Sequence, residues 1–152
     1  MKVGLVLEGG GMRGLYTAGV LDMMMDNHFM PDVVCGTSAG VTFGVNLLSQ
    51  QKGRVLRYRN DHISGVCHLF YPRYKALLKT IANRNANYNA RIEQINRLEA
   101  EGKVFVIRPS RHIEVGRLEQ DAGRLRALHA LGVDDALAVW ERLQKYLQEG
   151  SN

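Results

Sequence analysis

The stretch "VVCGTSAGVTFG" places Ser38 between Gly36 and Gly40, directly after a short β-branched run. Acyl transfer by a serine needs a hydroxyl on a rigid, exposed turn, because the oxygen must reach a carbonyl carbon without steric cover. In G-x-S-x-G the turn from strand to helix is so sharp that large flanking residues would clash, so both are glycine. Ser38 is therefore a candidate nucleophile, with Gly36 and Gly40 forming its elbow. The N-terminus of the following helix would offer unpaired N–H groups and a partial positive charge to a developing oxyanion. The same residues also suit a plain helix start with Ser38 as its cap. The pentapeptide alone leaves both readings open.

A second glycine cluster, "EGGGMRG", follows the first apolar run. At the end of a strand, the N–H groups of Gly9, Gly10 and Gly11 can converge on an anion, with Arg13 adding charge or pinning the loop. Two ends of a parallel sheet, one carrying a serine and one carrying donors, would then stand side by side where open α/β sheets bind ligands. Gly9, Gly11 and Gly14 also fit the G-x-G-x-x-G of a dinucleotide loop. That fold wants an acidic residue at the end of the second strand, where this chain has Cys35 and Gly36, and Asp32 lies ahead of the strand. In "DHISGVCH" the residues Asp61, His62, Cys67 and His68 match no standard zinc spacing.

The pairing of "GGGMRG" with "GTSAG" some twenty residues on resembles the patatin-like phospholipase family, and "LVLEGGGMRGLYTAGVLD" is most similar to its bacterial branch. The tail "YNARIEQINRLEAEGKVFVIRPSRHIEVGRLEQD" is also similar to those proteins, so the resemblance covers about residues 1–59 and 71–140. It implies that Ser38 is the nucleophile of a lipid acyl hydrolase, that Gly9, Gly10 and Gly11 are oxyanion donors, and that Arg13 and Gly14 hold the matching loop positions. No metal or organic cofactor is implied. The family completes a Ser-Asp dyad from a later D-G-G or D-G-A motif, and this chain contains no Asp-Gly dipeptide. The expected organisation is one domain over 1–152 with residues 60–70 as the junction left by an internal deletion. Asp61, His62 and His68 are the candidate substitutes for the missing base, while Asp121 in "QDAG" lies in the tail-like part. The alternative is a catalytically impaired relative that survives as a lipid- or protein-binding module or a remnant.

The elements that must position these motifs are legible from apolar spacing. Val3–Leu7 is a buried strand ending at the glycine cluster, and Leu15, Ala18, Leu21 and Met25 recur at helical spacing. Met23 to Met25 are core filler on that helix. Pro31 and Asp32 precede a second strand, Val33–Cys35. The helix after Ser38 places Val41, Val45 and Leu48 on one face. A stripe of Tyr88, Ile92, Ile95 and Leu98 ends at Gly102, and "KVFVIRP" is a third strand closed by Pro109. Two final helices flank Gly132, the last capped by Asp134 and facing inward through Leu137, Trp140, Leu143 and Leu147. The expectation is an α/β fold with a small parallel-sheet core flanked by helices, a shortened form of the family's three-layer fold.

With 152 residues, 45% hydrophobic and 23% charged, the composition is that of a globular domain. The net charge of +5 is spread rather than run together, and no nucleic-acid-binding pattern is present. Cys35 and Cys67 form no disulfide framework, no run approaches a membrane span, and the N-terminal apolar run is too short for a signal peptide. These features point to the cytoplasm and at most peripheral membrane contact, while the lipid or acyl-ester substrate is what the resemblance implies. A small sheet with uncovered edges also favours homo-oligomers.

Overall fold

The computed structural model describes residues 2–54 and 84–150. Strand β1 (Gly4–Leu7) pairs in parallel with β2 (Val33–Gly36), Gly4 standing opposite Val33 and Leu7 opposite Gly36. Asp32 starts this ladder: its carboxylate accepts the Val3 N–H at 2.7 Å and its own N–H donates to the Val3 carbonyl at 2.9 Å. That is why an acidic residue precedes the strand instead of ending it. A 3-10 turn (Gly11–Gly14) leads into α1 (Leu15–Asp26), and α2 (Ala39–Leu48) follows β2. The architecture is α/β, a two-stranded parallel sheet with helices, four of them α-helices among the described residues.

The chain divides into two units, residues 1–58 with 107–152, and residues 59–106. In the second unit α3 (Arg84–Ala100) ends as the sequence predicts at Gly102, whose φ of 69° only glycine adopts freely. Gly102 N–H donates to Glu99 and Lys103 N–H to Leu98, a Schellman closure of the last turn.

In the first unit α1 is central. Ten of its twelve residues are buried, Met23, Met24 and Met25 among them, so it packs on several sides rather than along one stripe. It lies against α2 and against the C-terminal helix α4 (Ala122–Glu149). The expected pair of final helices is one helix of 28 residues running through Gly132. Glycine costs a helix about 1 kcal/mol relative to alanine, but here it brings two backbones together. A methyl on Gly132 would overlap the Tyr16 carbonyl, and one on Gly19 would overlap the His129 carbonyl. The helix is capped by Asp121, which accepts the Arg124 N–H at 3.0 Å, and not by Asp134, which lies within it. The buried seam runs through Leu128, Leu131, Gly132, Ala136 and Leu143, which leaves Leu137 exposed. Trp140 meets Phe29 edge to face at 6.0 Å.

Val41, Val45 and Leu48 share a face of α2 as expected, and it is the half-exposed one. The inward face is Gly40 and Gly44, which approach Leu7, Glu8 and Val34, with Phe43 and Leu47 beside them. Small residues there let the helix sit close on the strands, which a search for bulky apolar side chains does not register. One further expectation is corrected: the segment 103–109 is not a third strand, and among the described residues the sheet has β1 and β2 alone. The sheet's other face carries Val6, 80% exposed, and Val33.

Tyr16, buried on α1, donates its hydroxyl to Asp135 Oδ2 at 3.1 Å, and the same oxygen accepts the Ser110 N–H at 2.9 Å. Burial and the neighbouring Asp135 charge raise the Tyr16 pKa far above the usual phenol value. Burial opposes the charge on Asp135, but bonds from Ser110 and Tyr16 and the charge of Arg111 outweigh it and hold its pKa below the usual range. A raised phenol contributes stability that is present below its unfolded value of about 10 and lost as pH rises through the folded value. A depressed carboxylate contributes stability present above its unfolded value of about 3.9 and lost as pH falls through the folded value. The urea midpoint is therefore expected to fall at both ends of the pH range, and Tyr16→Phe is expected to flatten the alkaline limb. An alkaline limb of the same depth in that variant would rule out the Tyr16 contribution.

Candidate active site

Ser38 stands where β2 gives way to α2, exposed, with φ 53° and ψ −122°. A non-glycine residue there costs about 1–3 kcal/mol and persists only where its surroundings enforce it. The surroundings are visible on both sides. Thr37 N–H donates to the Leu7 carbonyl at 3.1 Å, Gly40 N–H to Thr37 at 3.0 Å, and Val41 N–H to Ser38 at 3.1 Å. Although Ser38 occupies the position before the first turn of α2, its side chain makes no capping bond. The hydroxyl is thus not engaged by the helix end, and the strained backbone turns it out of the strand.

The glycines around it are required by close approach. A methyl on Gly36 would lie 2.8 Å from Val41 N, and one on Gly40 would lie 2.6 Å from the Leu7 carbonyl oxygen. Gly9 brings the two motifs together: its methyl would meet the Thr37 carbonyl at 2.6 Å and Ser38 Cβ at 2.9 Å. The end of β1 is therefore against the elbow at the end of β2, as the parallel pairing dictates.

The rest of the glycine loop divides by role. Gly14 is buried against the Phe43 ring and Ala39, so it packs the start of α1 onto the first turn of α2. Gly10 has room for a side chain, its nearest neighbour being Arg13 Cβ at 3.6 Å. Arg13 is exposed, and its N–H donates to the Gly10 carbonyl at 3.3 Å, which closes the turn through the backbone. Gly11 has φ 60°, and the Met12 N–H beside it donates to the carbonyl of Arg117, 3.1 Å away. Arg117 was not legible as part of this loop, since a backbone carbonyl leaves no trace in residue type.

Of the candidate bases, Asp61, His62 and His68 lie outside the described residues, as do Cys67 and the junction 60–70. Asp121 is engaged as the cap of α4, and N–H groups of Arg124 and Gly123 hold its pKa below the usual value. A carboxylate–histidine pair that sequence reasoning missed joins Asp22, buried on α1, to His129 Nε2 at 2.9 Å. Asp22 also accepts the Gly53 N–H at 3.1 Å. It lies eight residues past Gly14, about 12 Å along the helix, so it ties α1 to α4 rather than serving Ser38. Among the described residues no three His, Cys, Asp or Glu side chains gather as a metal site. Among them, too, no helix is long and apolar enough to cross a membrane.

A family model described as "Patatin-like phospholipase" matches residues 5–96, and one described as "Domain of unknown function (DUF6363)" matches residues 74–148. The uncharacterized protein YjjU of Escherichia coli (strain K12) is 58% identical over 40 residues, which are 26% of this chain and 11% of that relative. No solved structure matches.

Proposed function

Because the chain belongs to the patatin-like phospholipase family, whose matched segment holds both glycine motifs, we propose that it hydrolyses acyl esters of lipids through Ser38. The observation that carries this reading is the Ser38 backbone, held at positive φ with its hydroxyl uncapped beside Gly9. Ser38 Oγ attacks the acyl carbonyl while its proton passes to a base. The N–H groups of Gly9, Gly10 and Gly11 hold the oxyanion, and the alcohol leaves with the proton to give an acyl-serine. Water then attacks the acyl-serine with the same base, releasing the fatty acid and restoring the hydroxyl. Asp121 and Asp22 are otherwise engaged, so Asp61, His62 and His68, which lie outside the described residues, stay the candidate bases that the sequence offers. The two family matches overlap at residues 74–96, which supports an internally shortened member.

A second reading, an impaired relative that binds lipid or protein without turnover, is favoured by the absent Asp-Gly dipeptide. A positioned base is worth about 10² to 10⁴ in rate, so its loss would leave binding and slow acylation. Incubation with phosphatidylglycerol/phosphatidylcholine vesicles distinguishes them. Fatty-acid release that exceeds the rate of Ser38→Ala by at least about 10²-fold supports the hydrolase. Vesicle binding with release no faster than in Ser38→Ala supports the second reading and overturns the first.

A further inference from the structure

The segment from Ser110 to Asp121 is tied down along its length. Ser110 N–H is held by Asp135 at 2.9 Å, and the Val115 side chain is buried. The Arg117 carbonyl accepts the Met12 N–H at 3.1 Å. At the far end the Glu119 carboxylate accepts the N–H groups of Gln120 and Asp121 at 2.9 and 3.0 Å, and Asp121 caps α4. Between these anchors Gly116 is exposed and Leu118 is 85% exposed. The segment is thus a surface strap fixed mainly through its backbone.

Its contact with the glycine loop is close. Gly11 has φ 60°, and a methyl on it would lie 2.6 Å from the Arg117 carbonyl oxygen. An oxyanion donor contributes only if it is fixed before the charge develops. Three successive glycines lose more freedom on being fixed than any other tripeptide, so Gly9 to Gly11 need an external support. We propose that Arg117, through its carbonyl, is a positioning residue for the oxyanion loop, so that the strap holds the donors aimed at Ser38. This rests on the acyl-transfer reading of Ser38.

Deleting Gly116, where a side chain would point into open space, shifts the Arg117 carbonyl by one residue. In that variant the maximal rate of fluorophosphonate labelling is expected to fall at least about tenfold, with the inhibitor concentration for half-maximal rate within about twofold. The Met12 amide is expected to exchange its hydrogen at least about tenfold faster. Leu118→Ala is expected to leave all three unchanged. Val115→Ala, which loosens the strap from below, gives the same direction of change should the deletion fail to fold. A folded variant with unaltered labelling overturns the proposal, including when only its melting temperature drops, since that is a merely structural role. If the unmodified protein resists labelling, the acyl-transfer reading fails, and Met12 exchange alone decides whether the strap holds the loop.

Discussion

Fluorophosphonate treatment of the folded protein is expected to add one phosphonyl group, and Ser38→Ala is expected to abolish the adduct. The serine oxygen displaces fluoride at a tetrahedral phosphorus whose oxygen occupies the position of the acyl oxyanion, so labelling reports both the nucleophile and the donors. Intact mass reads the outcome directly. Gly9→Ala extends the test to the loop, because its methyl would press on the Thr37 carbonyl at 2.6 Å and on Ser38 Cβ at 2.9 Å. Backbone, not a flexible side-chain tip, lies in the way, so the loop must shift. Loss of one aligned oxyanion donor costs about 10² to 10³ in rate, and Gly9→Ala is expected to slow labelling by that order. Gly10→Ala, with its nearest neighbour at 3.6 Å, is expected to do far less. A folded protein that resists the reagent would end the nucleophile reading of Ser38. Equal labelling of Gly9→Ala and the unaltered chain would remove Gly9 from the site.

The largest expected effect on stability comes from the crossing of α1 and α4. Gly132→Ala restores helix propensity worth about 1 kcal/mol, yet its methyl overlaps the Tyr16 carbonyl, and neither backbone can yield without displacing a whole helix. Overpacking in a closed core costs typically about 1–3 kcal/mol and more where main chain is the obstacle. A net loss of about 3 kcal/mol is expected, roughly 6–12 °C in melting temperature for a chain of this length. Gly19→Ala, against the His129 carbonyl on the same crossing, is expected to act alike. Gly4→Ala, where a methyl meets nothing within 4 Å, is the control and is expected to stay within about 0.5 kcal/mol. Thermal unfolding of the three variants decides the matter. A Gly132→Ala protein as stable as the Gly4→Ala control would mean that the helices do not cross at these glycines.

Residue order alone encodes what is local. Strand, glycine turn, helix, strand and elbow follow one another within fifty residues, and each is encoded by neighbours: an apolar run, a turn that only glycine fits, a helical stripe. The end of α3 at Gly102 is local for the same reason, since one positive φ closes it. Tertiary structure decided whatever depends on a partner distant in the chain. Gly132 reads as a break until the Tyr16 carbonyl, 116 residues away, occupies the space where its side chain would be. Val41, Val45 and Leu48 share a face by spacing alone, but which face meets the strands is set by Gly40 and Gly44, which make that contact. Val104 to Ile107 have strand composition, but a strand is a property of a ladder, and among the described residues the sheet consists of β1 and β2 alone. Arg117 reaches the glycine loop with a backbone atom common to every residue, so its place beside Gly11 and Met12 arises from the folded path of the chain.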